Sequence, residues 1–405
     1  MKILFVTWDG SAQNYLESLF LPIFSGLMQR DKNLSFEVLQ FTWANQATRH
    51  SIQATAKSLG IEYTSYPIWR KPVALATAGM ILTGSYIISK YLRKNPQVIL
   101  MPRSIIPAAM CLRAIRNYPT VKLFFDADGL MADERIDFGG WRAEGFSYRI
   151  LRDIEAMAVR RAEVVITRSH KAKEILIHRA GAGCNQNKIF VVSNCKNEME
   201  YSPRNSEQRL AFRSLRGVNP ETPWIVYVGS FGEKYCPKEV LTLFEEVLEY
   251  RKDARLQILT GDTDVAIKVL ENSHVRFFVD IQRVKPSDVP RYLSAADLGI
   301  SLIQRKFSMQ AATPTKVGEY LLCGLPVVST LIGDIEHQLS NTPVARLIEQ
   351  ITPSTLKEVA SWFVNEVLPK REWYREQSVI VGRQHFGMEI CLKNYQDTIA
   401  YHDWN

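Results

Sequence analysis

Apolar and polar positions alternate along this chain in blocks whose period switches repeatedly. Short β-rich runs at 3–7, 36–41, 62–66, 98–101, 122–126, 164–167 and 189–193 predict strands. Stretches with helical spacing between them predict helices over 13–30, 48–59, 73–93, 107–115, 148–161 and 171–179. A polar, proline-punctuated segment, 194–220, reads as a boundary. A second alternation follows, with strands at 224–228, 256–260, 275–279, 298–302 and 327–330. Its helices are predicted at 238–250, 265–272, 289–295 and 314–323, with one or two more over 376–405. Strands alternating with helices imply an α/β fold of parallel sheets covered on both faces. At 405 residues the chain exceeds one ordinary core, so two domains are expected, 1–200 and 201–375.

Composition narrows this picture. With 46% hydrophobic and 10% aromatic residues, the chain is globular rather than disordered. Six cysteines form no C-x-x-C pair and no metal-ligand spacing, the pattern of a reduced cytosolic protein. The apolar run after Lys2 is broken by Asp9-Gly10, too early for a signal peptide, and fits a first strand. The apolar stretch 73–88 is diluted by Thr77, Gly79, Thr83, Gly84 and Ser85, so a membrane span is not expected there. Lys90, Arg93 and Lys94 follow it and allow the helix to rest on a bilayer surface. The net charge of +8 suits an anionic partner. The basic residues are scattered and match no nucleic-acid signature, which favours an anionic membrane face over RNA or DNA.

Residues 313–328, Thr-Pro-Thr-Lys-Val-Gly-Glu-Tyr-Leu-Leu-Cys-Gly-Leu-Pro-Val-Val, carry the densest signal. Thr313 suits an N-cap and Pro314 the first helical position. Gly324 suits the left-handed position after the helix, and Pro326 forbids its continuation. Lys316 and Glu319 are three apart, on one face near the N-terminus. Orphan N–H groups and the positive end of the dipole favour a phosphate there, and a carboxylate one turn on can accept sugar hydroxyls. After strand 224–228, Gly229 and Gly232 permit close backbone approach and Lys234 supplies charge. Gly10 follows the first strand similarly.

The 313–328 segment resembles the donor-site signature of the retaining GT-B glycosyltransferases of family 4, in a branch reading roughly S/T-P-T-K-x-x-E-Y-L-x-C-G-x-P-V-V. The resemblance implies that Glu319 holds the donor ribose and that the backbone N–H groups of Thr315 and Lys316 contact the diphosphate. A second glutamate common in the family falls at Ala311 here. The family's Arg and Lys on the loop after the domain's first strand fall at Ser230 and Lys234. Asp126-Ala127-Asp128-Gly129, with Asp133-Glu134-Arg135, resembles a family stretch D-x-R-G-x-x-x-D-E-R, with Asp128 in the arginine position. Asp126 and Asp128 are expected to face the acceptor or the reacting sugar, while a metal-binding D-x-D is the weaker reading. Asp262-Thr263-Asp264 repeats the spelling and is expected in a loop. Residues 188–203 resemble K-I-x-V-I-P-N-G-V-D-x-x-x-F-x-P, with Ser193 for the proline, Asn197 for the aspartate and Asn194 fixing the loop. The base is expected near 279–281, at Ile281.

On this resemblance the fold is two Rossmann-like doubly wound domains facing across a cleft. The first takes the acceptor, with a C-terminal helix over 376–405 packing back on it. The second takes a nucleotide-diphosphate sugar. Transfer proceeds with retention and requires no cofactor or metal, with Lys234, Lys316 and Asp128 as the groups nearest the chemistry. A saccharide or lipid-linked saccharide acceptor, bacterial surface polysaccharide synthesis, and a cytoplasmic place at the inner membrane face are implied. A nucleotide-sugar epimerase of the same fold and a catalytically silent subunit stay open, the latter because of Ala311. An NAD-dependent oxidoreductase is disfavoured because no G-x-G-x-x-G occurs.

Overall fold

The computed structural model describes residues 1–10, 15–271 and 273–403. The predicted turn at Ser11, the start of the predicted 13–30 helix, Asn272, Trp404 and Asn405 lie outside them. The chain divides into two compact units, Met1–Ser193 with Cys391–Asn405, and Asn194–Ile390.

In the first unit the strands are β1 (Lys2–Asp9), β2 (Ser35–Thr42), β3 (Glu62–Pro67), β4 (Ile99–Pro102), β5 (Phe124–Asp128), β6 (Val164–Thr167) and β7 (Ile189–Val191). They form parallel sheets ordered β3-β2-β1-β4 and β5-β6-β7, which isolated parallel bridges Leu100–Leu123 and Arg103–Asp126 join. Phe5 on β1 packs on Phe20 and Phe24, and Phe24 stacks on Phe36. The second unit holds β8 (Trp224–Val228), β9 (Arg255–Leu259), β10 (Val279–Gln282), β11 (Leu298–Ser301), β12 (Val327–Thr330) and β13 (Ala345–Ile348). Their order is β10-β9-β8-β11-β12-β13, all parallel. In each unit the order reverses beside the first strand, between β1 and β4 and between β8 and β11. Connections leave these neighbours toward opposite faces, which opens a crevice at their carboxyl ends.

The expected alternation is present, with several differences, among them the unexpected helices Met131–Asp137 and Ile335–Leu339. The strand expected over 275–279 is a 3₁₀ turn, His274–Phe278, and β10 begins only at Val279. Its apolar residues do not all point inward: Phe277 is largely exposed. Within the presumed boundary, Ser206–Leu215 is a helix, capped by Asn205, whose side chain accepts from the Gln208 N–H. Its Arg209 and Arg213 are buried, ion-paired to Asp297. Arg213 also donates to the carbonyls of Asn219 and Ala295, so the charges are satisfied inside rather than solvated. β13 and the helices Pro353–Trp362 and Arg371–Phe386 extend beyond the last predicted strand. Asp262-Thr263-Asp264 opens the Thr263–Leu270 helix instead of forming a loop.

The expected returning helix is divided. Arg371–Phe386 lies in the second unit against the Thr315–Leu322 helix, while Met388–Asp403 enters the first unit from Cys391 onward. There Leu392 closes on Gly26, and Gln396 accepts from Arg30 at 3.0 Å. Val73–Lys94 is, among the described residues, the one helix that by length and composition alone could cross a bilayer. One of its faces, including Ala76, Gly84, Ile88 and Leu92, is nevertheless buried in the first unit.

Glycines set how closely the second unit's helices approach. A Cβ at Gly382 would lie 2.8 Å from the Leu322 nitrogen, and one at Gly318 would lie 2.7 Å from the Phe386 Cβ. Gly382→Ala must push Arg371–Phe386 away from backbone, which cannot yield as a side-chain tip can. The variant is expected to lose about 1–3 kcal/mol of stability, read as a lower melting temperature; an unchanged melt would show that the contact is slack.

Candidate functional site

The Thr315–Leu322 helix starts one residue later than its sequence suggested. Pro314, rather than Thr313, occupies the cap position. Thr313 instead offers its carbonyl to the Asn194 side chain at 3.3 Å, so Asn194 does fix a loop, the one leading into this helix. The C-terminus follows the expectation: Gly324 has φ +82°. Its N–H reaches the Leu321 carbonyl, and the Leu325 N–H reaches the Tyr320 carbonyl, each at 2.9 Å. That double bond pattern is a Schellman motif. Most of the helix is buried, while Thr313 and Thr315 at its leading end are half-exposed. The N–H groups of Thr315 and Lys316 fall in the first turn, beyond reach of the helix's own carbonyls.

Tyr320 fastens this helix beneath the sheet's reversal. Its hydroxyl accepts from the Val228 N–H on β8 at 2.9 Å and donates to the Ile300 carbonyl on β11 at 3.1 Å. Its ring fills the space over Gly299, where any Cβ would lie 2.5 Å away. The loop after β8 then passes over the first turn. Gly229, at φ +116°, adopts a backbone that side chains avoid, and a Cβ there would meet the Lys316 Nζ at 3.3 Å. Exposed Ser230 follows, its carbonyl accepting from the Tyr227 hydroxyl.

Lys316 does not point into solvent. Its Nζ donates to the Tyr227 hydroxyl at 3.1 Å, 4.2 Å from the Tyr227 ring centroid and 4.9 Å from that of Tyr235. Burial pushes its ammonium down to about 7, with Glu319 working weakly against the shift. Lys234 lies against the other aromatic partner, 5.8 Å from the Tyr235 centroid. Gly229, Lys234, Thr315 and Lys316 are therefore brought together as the sequence suggested, and Tyr227 and Tyr235, which no motif flagged, connect them.

Glu319 is already engaged. Lys196 binds its Oε1 at 2.9 Å, and the Tyr201 hydroxyl hydrogen-bonds to it, which with burial pushes that phenol well above its usual range. Lys196 was overlooked, although it stands two residues after Asn194 in a segment already singled out. Ala311 is buried and offers no carboxylate. Ile281 is half-buried on the edge strand β10, with β9 between it and β8.

In the first unit the acidic cluster splits by role. Asp126 was expected to face a ligand; it is wholly buried, with both oxygens on Arg168 Nη2 at 2.7 and 2.6 Å. Arg168 in turn reaches the Val192 carbonyl and Tyr395, so Asp126 is a structural group. Asp133 is likewise held, by Arg179 and Tyr148. Asp128, at φ +56°, is half-exposed, with Arg168 Nε 3.6 Å from its Oδ1. It pairs with Arg103 at 2.8 Å, and Arg103 with Arg168 outweighs burial to hold its carboxyl below the ordinary range. Asp128 and Gly10 line one pocket at the β1–β4 reversal. Among the described residues no cluster of three or more His, Cys, Asp or Glu has metal-site geometry.

Residues 222–366 match the family described as Glycosyl transferases group 1. The matched segment begins before β8 and contains Tyr227, Gly229, Lys234, Tyr235, Thr315, Lys316 and Glu319, but not Asn194, Lys196 or Tyr201. Solved structures share the whole fold at low identity. HepE from Anabaena, solved with UDP and glucose, is 14% identical with a TM-score of 0.73, over 99% of both chains. A glycosyltransferase from Rickettsia africae is 14% identical at TM-score 0.74, over 99% of this chain and 98% of that one. WaaG, a glycosyltransferase involved in lipopolysaccharide biosynthesis, is 16% identical at 0.67, over 94% and 95%. No curated protein matches the chain by sequence. The fold is that of the GT-B glycosyltransferases, and within its second unit the 222–366 segment is similar to the group 1 glycosyl transferases.

The Lys316 environment gives a pH signature. A lysine depressed on folding has released its proton above about 7, while the unfolded chain keeps it up to its ordinary value. Between those limits the unfolded state binds more protons, so this group makes stability rise with pH. Lys316→Met is expected to melt with a flatter pH dependence than wild type between about pH 7 and 10, measured by scanning fluorimetry; identical slopes would place the ammonium in water.

Proposed function

We propose that the protein is a retaining glycosyltransferase of the family 4 type, moving a sugar from a UDP-sugar to a saccharide or lipid-linked saccharide. One observation carries this reading: a half-exposed helix N-terminus, a buried lysine beneath it and a positive-φ glycine loop above it meet where the second sheet reverses. HepE, solved with UDP, supports the choice of nucleotide. The diphosphate would rest on the Thr315 and Lys316 amides and the Gly229–Ser230 backbone, with Lys316 and Lys234 meeting its charge. As the glycosidic bond breaks, that charge grows on the leaving phosphate, and fixed donors around it supply the largest catalytic effect. No metal is required in this scheme. Glu319 would take the ribose hydroxyls beside, or in exchange for, its bonds to Lys196 and Tyr201, and Ile281 would flank the base. Departure on the face from which the acceptor arrives gives retention without a protein nucleophile.

The acceptor and its location are argued from charge and exposure. Residues 63–125 contain nine Lys or Arg and no Asp or Glu. Within them, Val73–Lys94 exposes Leu75, Leu82 and Tyr86 opposite its buried face, and Trp69 stands exposed beside Arg70 and Lys71. An apolar stripe flanked by cations fits the surface of an anionic bilayer, where a lipid-linked acceptor resides. WaaG's role in lipopolysaccharide biosynthesis is consistent with a surface polysaccharide pathway.

Thermal-shift screening against UDP-, GDP- and ADP-sugars should single out a UDP-sugar. With a turnover assay in hand, Glu319→Ala and Lys316→Ala are each expected to lower kcat/KM tenfold to a thousandfold, about 1.4–4 kcal/mol; wild-type rates in both would reject the site. The chain should sediment with phosphatidylglycerol vesicles and not with phosphatidylcholine alone, less so at high salt. Leu82→Glu with Tyr86→Glu should weaken that binding about tenfold or more, and equal binding by wild type and variant would remove the surface from consideration.

A further inference from the structure

The pocket at the end of β1 lies in the first unit, apart from the residues assigned to the nucleotide. Its volume is about 260 Å³, bounded by Asp9, Gly10, Trp43, Arg103, Asp128 and Glu134. That is below the roughly 300–1,000 Å³ of sites for drug-sized ligands, and suits one sugar ring better than a nucleotide. Trp43 packs so closely on Gly10 that a Cβ there would fall 2.0 Å from the indole, and Arg70 covers the Trp43 ring at 4.7 Å. The indole is a fixed wall.

Charge decides what the pocket can hold. Asp9, Asp128 and Glu134 border it together with Arg103; that guanidinium is bound to Asp128 at 2.8 Å, and Arg168 also reaches Asp128 at 3.6 Å. A phosphate or uronate entering would meet the Asp9 carboxylate with Arg103 already engaged by Asp128, whereas a neutral polyol would bring hydroxyl donors to it. Asp9 is the carboxylate prepared to receive one. Its Oδ1 accepts from the Gln40 amide, whose own oxygen accepts from the Tyr63 hydroxyl. Its Oδ2 has only a long bond from Thr7, at 3.4 Å, and a carboxylate oxygen can accept more than one.

We propose that the acceptor of this enzyme is neutral at the sugar unit that enters this pocket. In this proposal Asp9 selects it by accepting a ring hydroxyl, oriented by the Gln40–Tyr63 pair. The proposal rests on the glycosyl-transfer reading and names the substrate class of that reaction. Burial raises the Asp9 carboxyl to about 6, with Gln40, Arg103 and Thr7 each opposing the shift. The other titratable groups facing it are Tyr63, whose own pKa Asp9 helps to raise, Asp128 and Glu134. Near neutrality Asp9 is an acceptor; below about 6 it is protonated and loses that capacity.

Saturation-transfer NMR on the full chain tests this with methyl pyranosides of neutral hexoses, methyl glucuronide and glucose 6-phosphate, at pH 7.5 with UDP present. Expected are binding of a neutral glycoside, at least tenfold weaker binding of both anions, and at least tenfold weaker neutral binding in Asp9→Asn. Wild-type affinity should also fall between pH 7 and 5, and this arm decides the matter if the variant does not fold. Anions binding as well as neutral glycosides, an Asp9→Asn variant equal to wild type, a flat wild-type pH profile, or no glycoside bound would each overturn the proposal. A separate UDP thermal shift on wild type distinguishes the two levels. Without it the glycosyl-transfer reading fails; with it, a failed sugar arm counts against Asp9 and its pocket alone.

Discussion

The second unit is organised by the need to bury a short helix on every side but its first turn. Eight residues, Thr315–Leu322, make too little helix to persist alone. Tertiary contacts hold it: the Tyr320 hydroxyl bridges β8 and β11, Gly299 makes room for the Tyr320 ring, and Gly318 and Gly382 admit Arg371–Phe386. Because β8 and β11 are the strands between which the order reverses, the same hydroxyl that secures the helix directs its N-terminus to the crevice. The anion-binding character of that N-terminus is thus a by-product of where the core needs a phenol.

Polar groups around that N-terminus are satisfied before any ligand arrives. Lys316 rests against two tyrosine rings and a hydroxyl, and Glu319 is taken by Lys196 and Tyr201. A buried charge without partners would cost several kcal/mol, so the fold supplies partners that a substrate can supplement or displace. For Lys316 the substitution is favourable, since a nearby anion would restore the proton that burial disfavours. The first unit uses a harder version of the same device. Both Asp126 oxygens are locked on Arg168 beneath the surface, and half-exposed Asp128 beside them is held by Arg103 and Arg168.

Sequence pattern recovered the alternation, the parallel strands of each unit and the helix with its Gly324 terminus, because each leaves a local mark: period, cap or turn chemistry. It went astray where a charged side chain serves the interior. Arg209 and Arg213 made 206–215 look like linker, yet their guanidiniums close on Asp297, eighty or more positions away. Asp126 looked ligand-facing because an acidic triplet at a strand end usually is; its partner Arg168 lies 42 positions on. Lys196 could have been suspected from its place beside Asn194, but no spacing rule connects it to Glu319.

What the chain's residues determined alone was everything set by neighbours within a turn or a strand: which segments are helix or strand, that strands and helices alternate, and that Lys316 and Glu319 share a face. Only the folded molecule decided which charges are exposed, that Lys316 lies under Gly229, that Asp9 and Asp128 border one pocket, and that Met388–Asp403 returns to the first unit. The reason is physical. Local periodicity follows from backbone geometry, whereas the protonation, burial and partners of an ionisable group depend on atoms that sequence distance does not bring near.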